Sequence, residues 1–193
     1  MKLYAATSNP GKLREFQLAA GAGFEIVPAP KMAPPEETGS TFEENAAIKA
    51  RAYSERVPGL VFAEDSGIEV AALGGAPGVY SARFAGPAAT DVANNEKLIA
   101  ALRGISDRRA RYVCVIALAE DGDVLATFRG EVEGEIVDAP KGTNGFGYDP
   151  HFFYPPFGAT FAELAPERKF EVSHRRRALD QLFVWLKNRF QVR

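Results

Sequence analysis

Glu64 and Asp65 stand side by side between the apolar run Leu60-Val61-Phe62-Ala63 and Ser66-Gly67, after which Ile68-Glu69-Val70 resumes apolar character. Two carboxylates at the mouth of a buried strand suit metal binding or acid/base chemistry. Asp-Ser-Gly is also ordinary turn chemistry, because Asp and Ser bond the local backbone and Gly accepts positive φ. The residues themselves leave both readings open. Two more acids, Glu36 and Glu37, lie near the end of residues 28–39, a stretch with four prolines and no periodicity. A loop of about 12 residues is more often functional than idle.

Cations accompany these acids. Thr7-Ser8-Asn9-Pro10-Gly11-Lys12 follows a short buried strand, Leu3 to Ala6, and Leu13, Phe16, Gln17 and Ala20 continue at helical spacing. Strand, polar loop, helix aims backbone N–H groups and a positive dipole end at an anion. A helix merely capped by Ser8 or Asn9 with an exposed lysine reads the same way. The spacing G-x-x-x-x-G-K-[ST] of the common NTPase phosphate loop is absent. Thr41-Phe42-Glu43-Glu44 fits a capping box and predicts a helix to about Ser54. Lys49 falls in its apolar stripe with Phe42, Ala46 and Tyr53, so its ammonium either snorkels out or meets a buried anion.

Phe24 to Val27 reads as a second strand, and the Gly/Pro-punctuated residues 73–81 as an irregular loop. Asp91 to Leu102 reads as a helix with Val92, Leu98, Ile99 and Leu102 inward. Arg111 to Ala119 and Val124 to Val132 flank Asp121-Gly122-Asp123, a hairpin signal. In Gly145-Phe146-Gly147-Tyr148-Asp149, a phenylalanine between glycines suits stacking on a flat ligand, or a turn whose aromatics tuck into the core. The last helix, capped by Ser173, has an apolar stripe of Ala178, Leu179, Leu182, Phe183, Leu186 and Phe190. Its first turn holds His174, Arg175, Arg176 and Arg177, which oppose the helix dipole unless an anion docks there or Asp180 or Glu171 pairs with them.

A length of 193 residues suits one domain, residues 1–193, of two lobes. The net charge of −2 gives no field for nucleic acid or an anionic membrane, so a polyanion must be small and gripped locally. One cysteine, Cys114, within an apolar strand, and two histidines argue against a disulfide or structural zinc. Neither a secretion signal nor a membrane span is expected, which makes the cytoplasm the default setting.

Six segments taken together carry a resemblance. They are Thr7 to Lys12, Glu37-Thr38-Gly39-x-Thr41-Phe42-x-Glu44-Asn45, Glu64-Asp65-Ser66-Gly67, Gly74 to Arg83, Gly145 to Pro150, and Lys169-x-x-x-Ser173-His174-Arg175. From residue 3 to about 186 the chain resembles the inosine triphosphate pyrophosphatase family, in its bacterial XTP/dITP diphosphatase branch. The resemblance implies an α/β fold: a long mixed β-sheet with flanking helices, two lobes around a central cleft, and a homodimer. It implies hydrolysis of ITP, dITP and XTP to monophosphate and pyrophosphate with Mg²⁺. By position, Asp65 is the catalytic base and, with Glu37, a metal ligand. Thr7, Ser8, Asn9, Pro10, Gly11, Lys12 and Lys49 bind the triphosphate. Ser66, Phe146, Gly147, Tyr148, Asp149, Lys169, His174 and Arg175 complete the substrate contacts. Many members have Asp where this chain has Glu64, so Glu64 is left without a role. The rivals are a Maf-like pyrophosphatase, whose serine/arginine-rich first loop this chain lacks, and a nucleotide-binding regulator without turnover, which would be expected to lose Glu37 or Asp65.

Overall fold

The computed structural model describes residues 1–191. β1 (Lys2–Ala5) leads into α1 (Pro10–Ala19), then β2 (Glu25–Pro28), α2 (Phe42–Ser54) and β3 (Val61–Val70). After two 3-10 turns come α3 (Asp91–Ala101), β4 (Arg109–Glu120), β5 (Asp123–Ile136), β6 (Phe152–Tyr154), β7 (Ala159–Thr160), α4 (Pro166–Val172) and α5 (His174–Phe190). The strands form one mixed sheet in the order β2-β1-β3-β4-β5-β6-β7. β1 is parallel to β2 and β3, with Leu3 opposite Ile26 and Ala5 opposite Phe62. β6 is antiparallel to β5 and β7.

Local chemistry sets the helix starts. Asn9 caps α1 by accepting from the Gly11 and Lys12 amides, and Pro10 takes the position where an N–H is not needed. The capping box of α2 is complete: Thr41 Oγ1 accepts from the Glu44 amide at 3.1 Å, and Glu44 Oε2 accepts from the Thr41 amide at 3.2 Å.

The chain divides into two compact units, one built from Met1–Asp65, Cys114–Gly130 and the segment beginning at Arg175, the other from Ser66–Val113 and Glu131–His174. In the first, Phe16 meets Phe62 edge-on at 5.1 Å, and Ala178, Leu179, Leu182, Phe183 and Leu186 of α5 are buried. In the second, Ile68, Leu98, Leu102, Tyr112, Val132, Phe152 and Phe161 share a core. Cys114 is buried and free of any disulfide. Among the described residues no helix is long and apolar enough to cross a membrane.

Two alternatives left open are decided, and two expectations, Val92 and Phe190 as buried residues, need correction. Glu64-Asp65-Ser66-Gly67 is not a turn, because β3 runs straight through it. Val92 is 66% exposed. At about 100° per residue it lies well round the helix from Leu98, and Asn94 and Asn95 hold the inner face instead. Phe190 is 41% exposed, in the last turn of α5. The first-turn amides of α1 are not free, since Gly11 N–H and Lys12 N–H both go to Asn9 Oδ1, at 2.8 and 3.2 Å.

The hairpin is as expected, with Asp121 and Gly122 both at positive φ, 50° and 87°. Two left-handed residues form the turn that matches strand twist. Gly122→Ala is expected to cost about 1 kcal/mol, or roughly 2–4 °C in Tm, in a thermal melt, because φ is unfavourable for a side chain.

Candidate active site

Alternation along an extended strand sends neighbouring side chains to opposite faces. Glu64 and Asp65 therefore belong to different networks, though they are adjacent. Glu64 is 4% exposed. Arg175, on the first turn of α5, grips it with two bonds, Nε to Oε2 at 2.6 Å and Nη2 to Oε1 at 3.1 Å. Lys12 of α1 reaches Oε1 at 2.6 Å, and the Cys114 thiol of β4 donates to Oε2 at 3.3 Å. Arg175 Nη1 also binds Glu15 at 2.5 Å. Burial pushes the Glu64 carboxyl up, but Arg175 and Lys12 outweigh it and hold the group well below its ordinary range. Burial and the facing Glu64 carboxylate raise the Cys114 thiol well above its ordinary value. The basic first turn of α5 thus meets protein carboxylates: Glu64 and Glu15 at Arg175, and Asp180 at Arg176 at 2.8 Å.

Asp65, 8% exposed, faces α2. Lys49 Nζ lies 3.0 Å from Asp65 Oδ1 and 3.0 Å from Glu37 Oε1, so the inward-directed lysine meets buried anions. Asn45 ties the same group together. Its Oδ1 accepts from the Gly39 amide at 2.8 Å, and its Nδ2 donates to Asp65 Oδ2 at 3.4 Å. A Cβ on Gly39 would sit 2.6 Å from Asn45 Oδ1, which is why the loop carrying Glu37 approaches α2 through a glycine. One ammonium between two carboxylates leaves a net negative charge. Burial, helped by Glu37, outweighs Lys49 and raises the Asp65 carboxyl above its ordinary value. Burial alone would lower Lys49, but Asp65 and Glu37 together raise it. A buried carboxylate with a raised pKa and a lysine beside it can accept a proton from water. Ser66 follows on β3, half-buried, and Thr7 Oγ1 accepts from the Asn9 amide at 3.1 Å.

The second unit carries a separate cluster. Asp149, 1% exposed, receives Lys169 Nζ in a very short ion pair, the Tyr112 hydroxyl at 3.1 Å and the Phe146 amide at 2.9 Å. His174 is buried and stacks on Tyr112 at 4.9 Å with an 11° interplanar angle. Tyr148 is buried and donates its hydroxyl to the Ser81 carbonyl at 2.7 Å, whereas Phe146 is 46% exposed with Lys169 Nζ 4.8 Å from its ring centre. The two aromatics thus divide the alternatives: Tyr148 tucks into the core and Phe146 does not.

With this geometry in place, comparison with known proteins is specific. The Ham1 family model matches residues 3–185. The chain belongs to the Ham1 family. It is 50% identical over 199 residues to a dITP/XTP pyrophosphatase of Acidobacterium capsulatum, covering 96% of this chain and 98% of that one. To a dITP/XTP pyrophosphatase of Listeria monocytogenes it is 48% identical over 187 residues, covering 94% and 92%. The solved Staphylococcus aureus Ham1 protein superposes with a TM-score of 0.88 at 42% identity, over 98% of this chain and 100% of that one.

Within this Ham1 protein, Lys12 and Arg175 meet at Glu64, and Lys49 and Glu37 meet at Asp65. Phe146, Asp149, Lys169 and His174 join through Tyr112 and the Asp149 carboxylate. Sequence reasoning gave no role to Tyr112, Asn45 or Glu15. Tyr112 sat at the edge of an apolar run and looked like core. Asn45 was visible only as a motif letter. Glu15 lay on the polar side of α1, and its partner is 160 residues away.

Proposed function

We propose that this chain hydrolyses dITP, ITP and XTP to the nucleoside monophosphate and pyrophosphate, clearing non-standard purine nucleotides. The observation that carries the reading is Asp65, a buried carboxyl that shares Lys49 with Glu37. The names of the relatives in Acidobacterium and Listeria support the substrate class.

A divalent ion fits the first unit's donors. Glu37 and Asp65 present two carboxylates around one ammonium, and no group of three or more His, Cys, Asp or Glu side chains forms a metal cage among the described residues. Mg²⁺ takes one or two carboxylates and fills its shell with phosphate oxygens and water. Glu37 and Asp65 would hold it, and when bound it would neutralise phosphate charge. Asp65 takes the proton of the attacking water. Lys12 and Lys49 offset the charge of the phosphates, with Thr7, Ser8, Asn9, Pro10 and Gly11 as the loop that meets them. Ser66, next along β3 and on the opposite face from Asp65, is the further substrate contact that the resemblance implies.

In the second unit, Phe146 stacks on the base, on a segment that Gly147, Tyr148 and Asp149 complete. Lys169 and His174 supply donors, whereas Arg175, expected among the substrate contacts, is held by Glu64 and Glu15 in the first unit. Hypoxanthine and xanthine offer an O6 acceptor where adenine offers an amino donor. An unpaired buried polar group costs about 1–3 kcal/mol, so ATP is disfavoured by about one to two orders of magnitude. Residence in the cytoplasm and assembly as a homodimer belong to the same proposal and rest on the resemblance alone.

The test follows pyrophosphate release with Mg²⁺ from dITP, ITP, XTP, ATP, GTP and dTTP. Release confined largely to the first three is expected. Equal rates on all six, or orthophosphate as the first product, would defeat the reading.

A further inference from the structure

Phe146 is exposed, yet the backbone on both sides of it is fixed. Gly145 and Gly147 flank it at φ 76° and 63°, conformations that L side chains rarely adopt. A Cβ on Gly145 would lie 2.0 Å from Asp149 Oδ2, and the Phe146 amide donates to that same oxygen at 2.9 Å. Gly147 is held from the other side by α3. Its N–H donates to Asp91 Oδ2 at 2.7 Å, and its carbonyl accepts from Asn95 Nδ2 at 2.8 Å.

Asp91 and Asn95 are four residues apart, on one face of the helix, so one turn of α3 grips both polar groups of a single glycine. Asn95 is a weak helix former placed on the buried face at 8% exposure, and its Oδ1 has no partner among the described residues. Neither helix formation nor packing favours an amide there. Among the described residues its side-chain hydrogen bond goes to the Gly147 carbonyl.

We infer that Asp91 and Asn95 are positioning residues that hold Phe146 ready for the purine base. The inference rests on the functional reading above and deepens it. A ring whose backbone is set in advance loses less freedom when a flat ligand stacks on it. The clamp therefore acts on affinity for the base and leaves the phosphate end alone.

The test compares Asp91→Ala, Asn95→Leu and Asp91→Asn with the parent protein. In the first two, KM for dITP is expected to rise about three- to tenfold, the equivalent of one net hydrogen bond, with kcat within about twofold. The inhibition constant of inorganic tripolyphosphate, which has no base, is expected to stay unchanged. Asp91→Asn keeps an oxygen acceptor for the Gly147 amide and is expected to restore the parent KM. An unchanged KM in both disruptive variants, or a parallel rise in the tripolyphosphate constant, overturns the inference. Hydrogen exchange of the Gly147 amide, measured by NMR without nucleotide, should quicken in Asp91→Ala and recover in Asp91→Asn. Exchange that does not respond overturns the clamp even if the kinetics shift. A parent protein that releases no pyrophosphate from dITP would instead defeat the functional reading.

Discussion

Asp65→Asn is expected to lower kcat for dITP by about 10²–10⁴-fold while dITP still binds, the loss associated with removing a general base. The amide is nearly the same size as the carboxyl and offers an oxygen to Lys49, which also keeps Glu37. The stability effect follows from the direction of the Asp65 shift. A carboxyl whose folded pKa is raised favours the fold while protonated, and that contribution is lost as pH rises through the raised value. An amide cannot ionise, so the variant should melt no lower than the parent near neutral pH. Calorimetric binding of dITP, a thermal melt and single-turnover rates check the three parts. An unchanged turnover rate would remove Asp65 as the base.

Glu64→Gln is expected to act chiefly on stability. Glu64 is the buried anion that Arg175 and Lys12 share, and the amide leaves both cations without its charge. Breaking a buried ion pair by removing one partner costs about 3–5 kcal/mol, which in a chain of this size lowers Tm by roughly 10 °C. The pH dependence separates this from a packing defect. The Glu64 carboxyl is held well below its ordinary range, so its contribution is present above the unfolded value of about 4.3 and is lost as pH falls through the folded one. The variant should therefore lose less stability than the parent between neutral pH and acid, as read by urea melts at each pH. Lys12, no longer anchored, should also raise KM. A variant as stable as the parent at pH 7 would show that the network does not hold α1 and α5 to β3.

Much of this was legible in sequence because it is local. The capping box at Thr41, the left-handed turn at Asp121-Gly122 and the apolar stripe of α5 each depend on residues within one or two turns of one another. The six segments that carried the family resemblance were legible as well, and the Ham1 match over residues 3–185 bears that out. The same local habit produced the errors. Asp-Ser-Gly has turn propensity, but β3 lies between β1 and β4, and pairing in the sheet overrides it. Val92 fitted the helical period only at the helix start, where the inner face had already turned toward Asn94 and Asn95.

What the sequence determined by itself was which elements form and which side chains carry charge, since capping, periodicity and turn chemistry act between near neighbours. Only the tertiary structure decided partnership. It sent Glu64 to Arg175 and Lys12, and Asp65 to Lys49 and Asn45, although the two acids are adjacent. It also brought Asp91 and Asn95 to Gly147, more than 50 residues along the chain. The physical reason is that strand alternation separates neighbours onto opposite faces, while burial makes each charged or polar group find a partner wherever the packed chain offers one.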